Sequence, residues 1–413
     1  MSQTSAPPAS LVPRIPVIWI AIALLLCVAG GVAFVTAILM GESLRAWQAY
    51  LVNFVFWTGM AFGAVLFSAV LNVTGALWGR PLKRLAEAFA AYLPVAFILF
   101  WLLYFGREDL FPWIREPVPE KGAWLSAGFM FARNGAGLSL LIGLSVALTY
   151  FSVKGDRLAL QAPADVTCAT GDPAVLQATW SMQKILSPPL IIAFAFVLSL
   201  LAFDLIMSLD PHWYSTLFGG YYFIGSFYTG LVALYLLALA SLKAPVLRDH
   251  VHPRQLHDLG KLVMAFCLFT GYLFYTQFLV IWYGNLPEET RFVILRVKST
   301  PWEPLAWAIL FMIFLMPFLT LLSRKIKVKR IPMILLSLLI LSGMWLERFI
   351  LIAPSIWKRE TIPIGLLEII MSAGFFGLVA FCLMFFLKKV PLVSVSDPRF
   401  RELAEKKEER LEP

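Results

Sequence analysis

Residues 15–40 read IPVIWIAIALLLCVAGGVAFVTAILM, a run without one charged side chain. A helix needs about 20 mostly apolar residues to cross the ~30 Å hydrocarbon core of a bilayer. The run exceeds that length. It also exceeds the about 7–15 apolar residues of a signal-peptide core, so it reads as a retained first transmembrane helix. Only internally hydrogen-bonded helices and closed barrels can cross hydrocarbon. The run lacks the period-2 alternation of barrel strands, which leaves the helix.

The same pattern recurs along the chain. Spans are expected at 15–40, 48–77, 83–106, 124–153, 186–209, 215–241, 260–283, 301–322, 331–353 and 363–387. The fold class is therefore an all-α polytopic membrane protein with about ten transmembrane helices. Composition agrees: 60% of residues are hydrophobic and 14% charged, against roughly 25% charged in a soluble domain. The net charge of +9 is no nucleic-acid footprint, because the basic residues sit in loops between spans. The partner it points to is the lipid bilayer.

An even number of spans puts both termini on one side. That side holds most of the loop lysines and arginines, including the run Arg324, Lys325, Lys327, Lys329, Arg330. By the positive-inside rule this basic side, with both termini, is expected to be cytoplasmic. The opposite loops, FGREDLFPWIREPVPEKGAW, DPHWYS and WYGNLPEETRF, are rich in aromatic residues. They read as interfacial belt residues or as a docking face for a partner.

Redox centres leave signatures that this chain lacks. Cys27, Cys168, Cys267 and Cys382 form no CxxC or CxxCH motif, which argues against a cluster, a covalent haem or a disulfide framework. His212, His250, His252 and His257 all fall outside mid-span positions, so no pair is placed to ligate a membrane haem. The expectation is no metal and no cofactor of its own. His250, His252 and His257 read as part of a basic loop.

Spans 2–5 and 6–9 look like two copies of one four-helix unit, a parallel repeat. Asp204 precedes Pro211, and Glu347 precedes Pro354, by the same interval; Leu85-Ala86-Glu87 opens span 3 as Leu256-His257-Asp258 opens span 7. The expected organisation is a cytoplasmic segment 1–14, a peripheral helix and loop 15–47, a first bundle 48–209 and a second bundle 210–353. An outer loop with a peripheral helix 354–389 and a charged cytoplasmic tail 390–413 complete it. Small residues in spans 2 and 6, among them Gly59, Gly63, Ser226 and Gly230, permit close helix contact.

An ionisable residue inside a span costs several kcal/mol unless paired or hydrated, and marks either a functional site or a structural pair. Toward the aromatic side lie Arg133, Asp204, Glu347, Arg348 and Glu368; toward the basic side lie Glu87, His257 and Asp258. Hydroxyl and amide side chains such as Ser68, Asn72, Ser145, Thr229 and Thr270 lie between, so a proton route through ordered water is one reading. Structural pairing is the other, with Arg133 and Asp204 as a buried ion pair. Glu347 and Arg348 project about 100° apart on a helix and are expected to pair with other helices rather than with each other. His212, beside Asp210 at the outer mouth, reads either as a proton-release group or as a loop histidine hydrogen-bonded to Asp210.

The stretches LIMSLDPHWYSTLFGGYYFIGSF, YTQFLVIWYGNLPEET, MWLERFILIAPS and PLVSVSDPR together resemble the F subunit of alternative complex III, a quinol:cytochrome c oxidoreductase. That family belongs to the wider group of membrane subunits similar to that of polysulfide reductase. The resemblance implies two four-helix bundles and two peripheral helices in a bacterial inner membrane. It implies partners: a paralogous quinol-oxidising membrane subunit, an iron–sulfur subunit, haem c subunits, and a soluble acceptor or terminal oxidase. Iron–sulfur clusters and haem c would belong to those partners, quinol would be the substrate of the complex, and this chain would not be catalytic alone. Proton-path residues under the resemblance are Asp204, Asp210, His212, Glu347 and Arg348, with Glu87, Asp258 and His257 toward the cytoplasm. No quinol-site motif is matched. Rival functions are a quinone-binding anchor with its own site and a proton-coupled transporter; the spans lack the paired Gly/Pro breaks of many transporters.

Overall fold

The structure, a computed structural model, describes residues 12, 13, 15–160 and 173–408. Cys168 and most of the N-terminal segment lie outside the described residues, as do the side chains of the tail beyond residue 403. Among the described residues there is no strand. Ten helices are long and apolar enough to span a membrane: α1 (Val17–Leu39), α2 (Ser43–Thr74), α3 (Arg80–Leu110), α4 (Ala127–Ala159), α5 (Ala174–Leu209), α6 (Leu217–Ser241), α7 (Pro253–Gly284), α9 (Glu303–Leu322), α10 (Arg330–Ile356) and α11 (Leu366–Leu387). Between α7 and α9 lies a short helix, α8 (Pro287–Val297), and a last helix, α12 (Pro398–Glu408), follows the spans. The expected ten-helix membrane fold is borne out.

α2 and α6 form the centre. In the most apolar stretch of α2, 89% of residues are buried, against 11% for α1. The two central helices cross closely because glycine removes side chains at the contact. A Cβ on Gly63 would lie 2.2 Å from the Ser226 carbonyl oxygen, and one on Gly230 would lie 2.3 Å from the Ala64 nitrogen. Such small-residue contacts substitute for the hydrophobic driving force that is missing in lipid. α5 packs on both α2 and α6, α4 on α5, and α7 and α10 on α6, while α1 and α11 pair on the periphery.

In α9 and α10 a proline interrupts the helix, and each freed carbonyl finds a donor. Pro317 has no N–H for the carbonyl four residues back, and α9 passes through a π turn at Phe311–Leu315. The Ile313 oxygen instead accepts from the Tyr228 hydroxyl at 3.2 Å and from Cys267 Sγ at 3.5 Å. In α10, Pro354 frees the Ile350 carbonyl, which accepts from Arg296 Nε at 2.9 Å.

Candidate functional site: a membrane cavity and the buried charges around it

α6, α7, α8, α9 and α10 enclose a cavity of about 560 Å3 in the aromatic-side half of the molecule. α7 contributes Cys267, Thr270, Phe274, Gln277 and Ile281, one stripe at helical spacing. α8 forms its roof through Phe292, Val293 and Arg296. The walls are mostly aliphatic and aromatic, with Glu347, Tyr221, Gln277, Arg296 and Thr270 among the polar exceptions. Several α7 side chains near its rim, Tyr272 and Tyr275 among them, are exposed on the outside of the bundle, where lipid lies.

Glu347 is buried on the cavity wall. Arg348 Nη1 donates to its Oε1 at 3.2 Å and lies 3.0 Å from Oε2. Oε2 nevertheless accepts no hydrogen bond of good geometry, and the Tyr221 hydroxyl faces the same carboxylate. The expectation that Glu347 and Arg348 pair elsewhere is corrected. Arg348 is held over the Tyr222 ring, 4.3 Å from its centroid, with Nη2 3.4 Å from the Tyr222 carbonyl. From there its long side chain reaches back to the neighbouring glutamate despite the angle between their Cα–Cβ directions.

Arg296 is a residue that the reading of the spans does not single out. It is buried, with no carboxylate in contact among the described residues, and donates to the carbonyls of Ile350, Leu351 and Phe292 and to Ser355 Oγ. Burial draws its pKa down to about 9, opposed by Asp210, so it keeps its charge at neutral pH. Its guanidinium lies 3.3 Å from the Phe292 ring centroid, and that ring stacks on Trp213 at 3.7 Å. The signal available in the sequence is Pro354, which strands a carbonyl.

The other candidates are distributed as follows. Asp204 is fully buried and takes four donors: Arg133 Nε at 2.7 Å, Arg133 Nη2 at 2.5 Å, Asn134 Nδ2 at 2.5 Å and Trp124 Nε1 at 3.0 Å. It is the ion pair the sequence suggests. Glu368 is gripped by Arg45 at 2.7 and 2.9 Å and caps the Gly365 N–H at the start of α11. Asp210 pairs with Arg291 at 3.1 Å. His212 is exposed and forms no hydrogen bond with Asp210. Asp258 pairs with Lys261 at 2.8 Å near the surface, and His257 Nδ1 is buried without a partner among the described residues. The hydroxyls expected to line a water route mostly donate to their own helices: Ser145 to Leu141, Thr229 to Gly225, Thr270 to Phe266.

A second constellation lies at the basic end of α3, α4 and α5. Glu87 accepts from Ser68 and Ser152 at 2.9 Å each and from Arg84 Nη1 at 2.5 Å. Arg84 also binds Asp156 and, at 3.0 Å, Ser394 Oγ. Arg80 and Lys83 donate to Asp397 at 2.9 and 2.8 Å. Burial alone would push the Asp397 carboxyl up, but Lys83 and Arg80 outweigh it and hold it below the usual carboxylate range. Of this group only Glu87 stands out in a survey of charges within apolar windows. Lys83 and Arg84 stand at the very edge of a window, Arg80 and Asp156 fall outside the windows, and Asp397 lies in the tail.

Among the described residues no three or more His, Cys, Asp or Glu come together as a metal site. A search of curated proteins found no match. A family model described as "Polysulphide reductase, NrfD" matches residues 36–358. That match takes in all the central helices and the cavity and covers well over half of the sequence, so the chain belongs to the NrfD polysulphide reductase family.

Proposed function

We propose that this chain is a membrane subunit of a quinone-linked respiratory oxidoreductase, without a redox centre of its own. Its place is the one the F subunit holds in alternative complex III. There it supports a paralogous quinol-oxidising subunit beside iron–sulfur and haem c partners in the bacterial inner membrane. Family membership supports the general role. The four sequence stretches support the particular complex. The helices divide into bundles 48–209 and 210–353, with α1 and α11 outside both and both termini cytoplasmic.

Within that role, Glu347 is the proton-exchanging group. The observation that carries this is its place on a cavity wall, where Oε2 has the Arg348 guanidinium 3.0 Å away and accepts no hydrogen bond of good geometry. A carboxylate surrounded by donors, as Asp204 is, is locked into a structural pair. One with an open lone pair beside a tyrosine hydroxyl and a cavity can take up and give back a proton. The test uses the complex purified from its native membrane and reconstituted in vesicles. Glu347→Gln is expected to lower quinol-driven proton release by about tenfold or more, with the complex intact. Unchanged release sinks the assignment.

A second reading is favoured by the cavity itself, which has the size and lining of a small-molecule pocket and opens among lipid-facing side chains. On that reading it holds a quinone. The same preparation separates the two. Quinone retained by the unmodified complex and lost from Ile350→Trp, which fills the cavity, favours binding. Equal quinone content in both removes this reading.

A further inference from the structure

Residues 390–397 have no regular secondary structure, yet every one of them is buried. Loops ordinarily run over the surface because their polar groups need water. Here the segment returns from the end of α11 and lies under the basic end of α3, α4 and α5. Leu392, Val393 and Val395 join the apolar core. Ser394, Ser396 and Asp397 supply what water would supply elsewhere. Asp156 Oδ1 accepts from the Ser396 N–H at 2.9 Å and from its hydroxyl at 2.6 Å. A Cβ on Gly155 would lie 2.7 Å from Ser396 Oγ, so α4 is shaped to admit the segment.

The charges balance only with the segment in place. Arg80, Lys83 and Arg84 face Glu87, Asp156 and Asp397, three cations and three carboxylates, all buried. Without Asp397, Lys83 keeps Glu87 at 4.0 Å, the Gln183 amide oxygen and the Trp180 ring face at 5.2 Å, with no carboxylate in hydrogen-bond contact. An unmatched buried cation draws in water or an anion. Glu87 lies one side chain behind the segment, reached through Lys83 and through Arg84. The matching end of α7 is built differently: Asp258 and Lys261 are paired at the surface.

We propose that residues 390–397 are a plug. Seated, they keep Glu87 and its neighbours dry; withdrawn, they admit water from the basic side to that carboxylate. This makes the first bundle closed at one end, and its opening a local event distinct from unfolding.

The test uses the full chain in its complex, in membrane vesicles that present the basic side outward. Ser187→Cys places a thiol in the polar layer above Arg80, where Asn72 meets Ser187 at 3.1 Å. A membrane-impermeant maleimide is added, and the peptides carrying residues 187 and 267 are followed by mass. With the native segment, the introduced thiol is expected to stay unlabelled. Adding Asp397→Ala is expected to speed its labelling by about tenfold or more, with the buried Cys267 still protected. Adding Lys83→Met to that variant removes the unmatched cation and is expected to restore protection. Gly155→Val, which bars the segment sterically and leaves the charges alone, is expected to behave as Asp397→Ala does. A thiol at position 187 that is labelled no faster in either variant overturns the plug. So does labelling of positions 187 and 267 together, because that is general unfolding.

Discussion

Asp204 and Glu347 precede a proline by the same interval in sequence and meet opposite surroundings. Asp204 has four donors, two of them from one guanidinium. Bidentate arginine–carboxylate contacts of this kind are among the strongest hydrogen bonds in proteins. Removing one member of a buried pair leaves the other charge uncompensated, at about 3–5 kcal/mol. Asp204→Asn is therefore expected to lower the melting temperature of the detergent-solubilised complex markedly. Asp204→Leu with Arg133→Met should recover most of the loss. A variant Asp204→Asn that melts normally but releases no protons would instead make Asp204 a proton carrier. Both carboxylates are conspicuous in the sequence, and Arg133 is legible there as the partner of Asp204. Their difference is not legible, because it lies in Trp124 and Asn134, whose reach depends on how α4 lies against α5.

Element boundaries show what hydropathy can and cannot see. The ten spans are legible, yet α5 begins at Ala174 rather than near residue 186, and α7 at Pro253 rather than near 260. Hydropathy registers only the part of a helix at hydrocarbon depth, whereas backbone hydrogen bonding continues beyond it. α8 escapes a search for apolar runs, although Pro287 at its first position, Glu288 and Glu289 in its first turn and Arg296 in its last are ordinary helix signals. It matters because Arg296 repairs the proline break in α10. Arg296→Met should destabilise the complex by about 2 kcal/mol or more, since buried carbonyls lose their donors. Pro354→Ala restores the backbone N–H that Ile350 lacks, so it should cost little alone and offset part of the Arg296→Met loss. Strictly additive melting shifts in the double variant would mean that Arg296 acts elsewhere.

At the scale of the molecule, the basic and aromatic sides are legible from loop composition, and the proposed orientation follows from them. Lys325→Cys should react with an impermeant thiol reagent only from the cytoplasmic side, and Glu120→Cys only from the opposite side; the reverse pattern inverts the topology. The long-range ties are not legible. Arg45 with Glu368 and Lys83 with Asp397 join residues more than three hundred positions apart, and nothing local in either stretch names its partner. A charge survey finds one end of such pairs because a lone carboxylate in an apolar run is conspicuous. A lysine or arginine at the edge of a span passes for a topology signal, as Lys83 and Arg84 do.

The tie between Lys83 and Asp397 also orders events in time. The ribosome must make 314 further residues after Lys83 before its carboxylate partner exists. Throughout that interval the end of α3 carries a positive charge that its final partner does not yet neutralise. Until then its neighbours within the bundle are Glu87 at 4.0 Å and the Gln183 amide oxygen. A chain interrupted before residue 397 would lack the close carboxylate of Lys83, and so would carry a chemical mark of being unfinished.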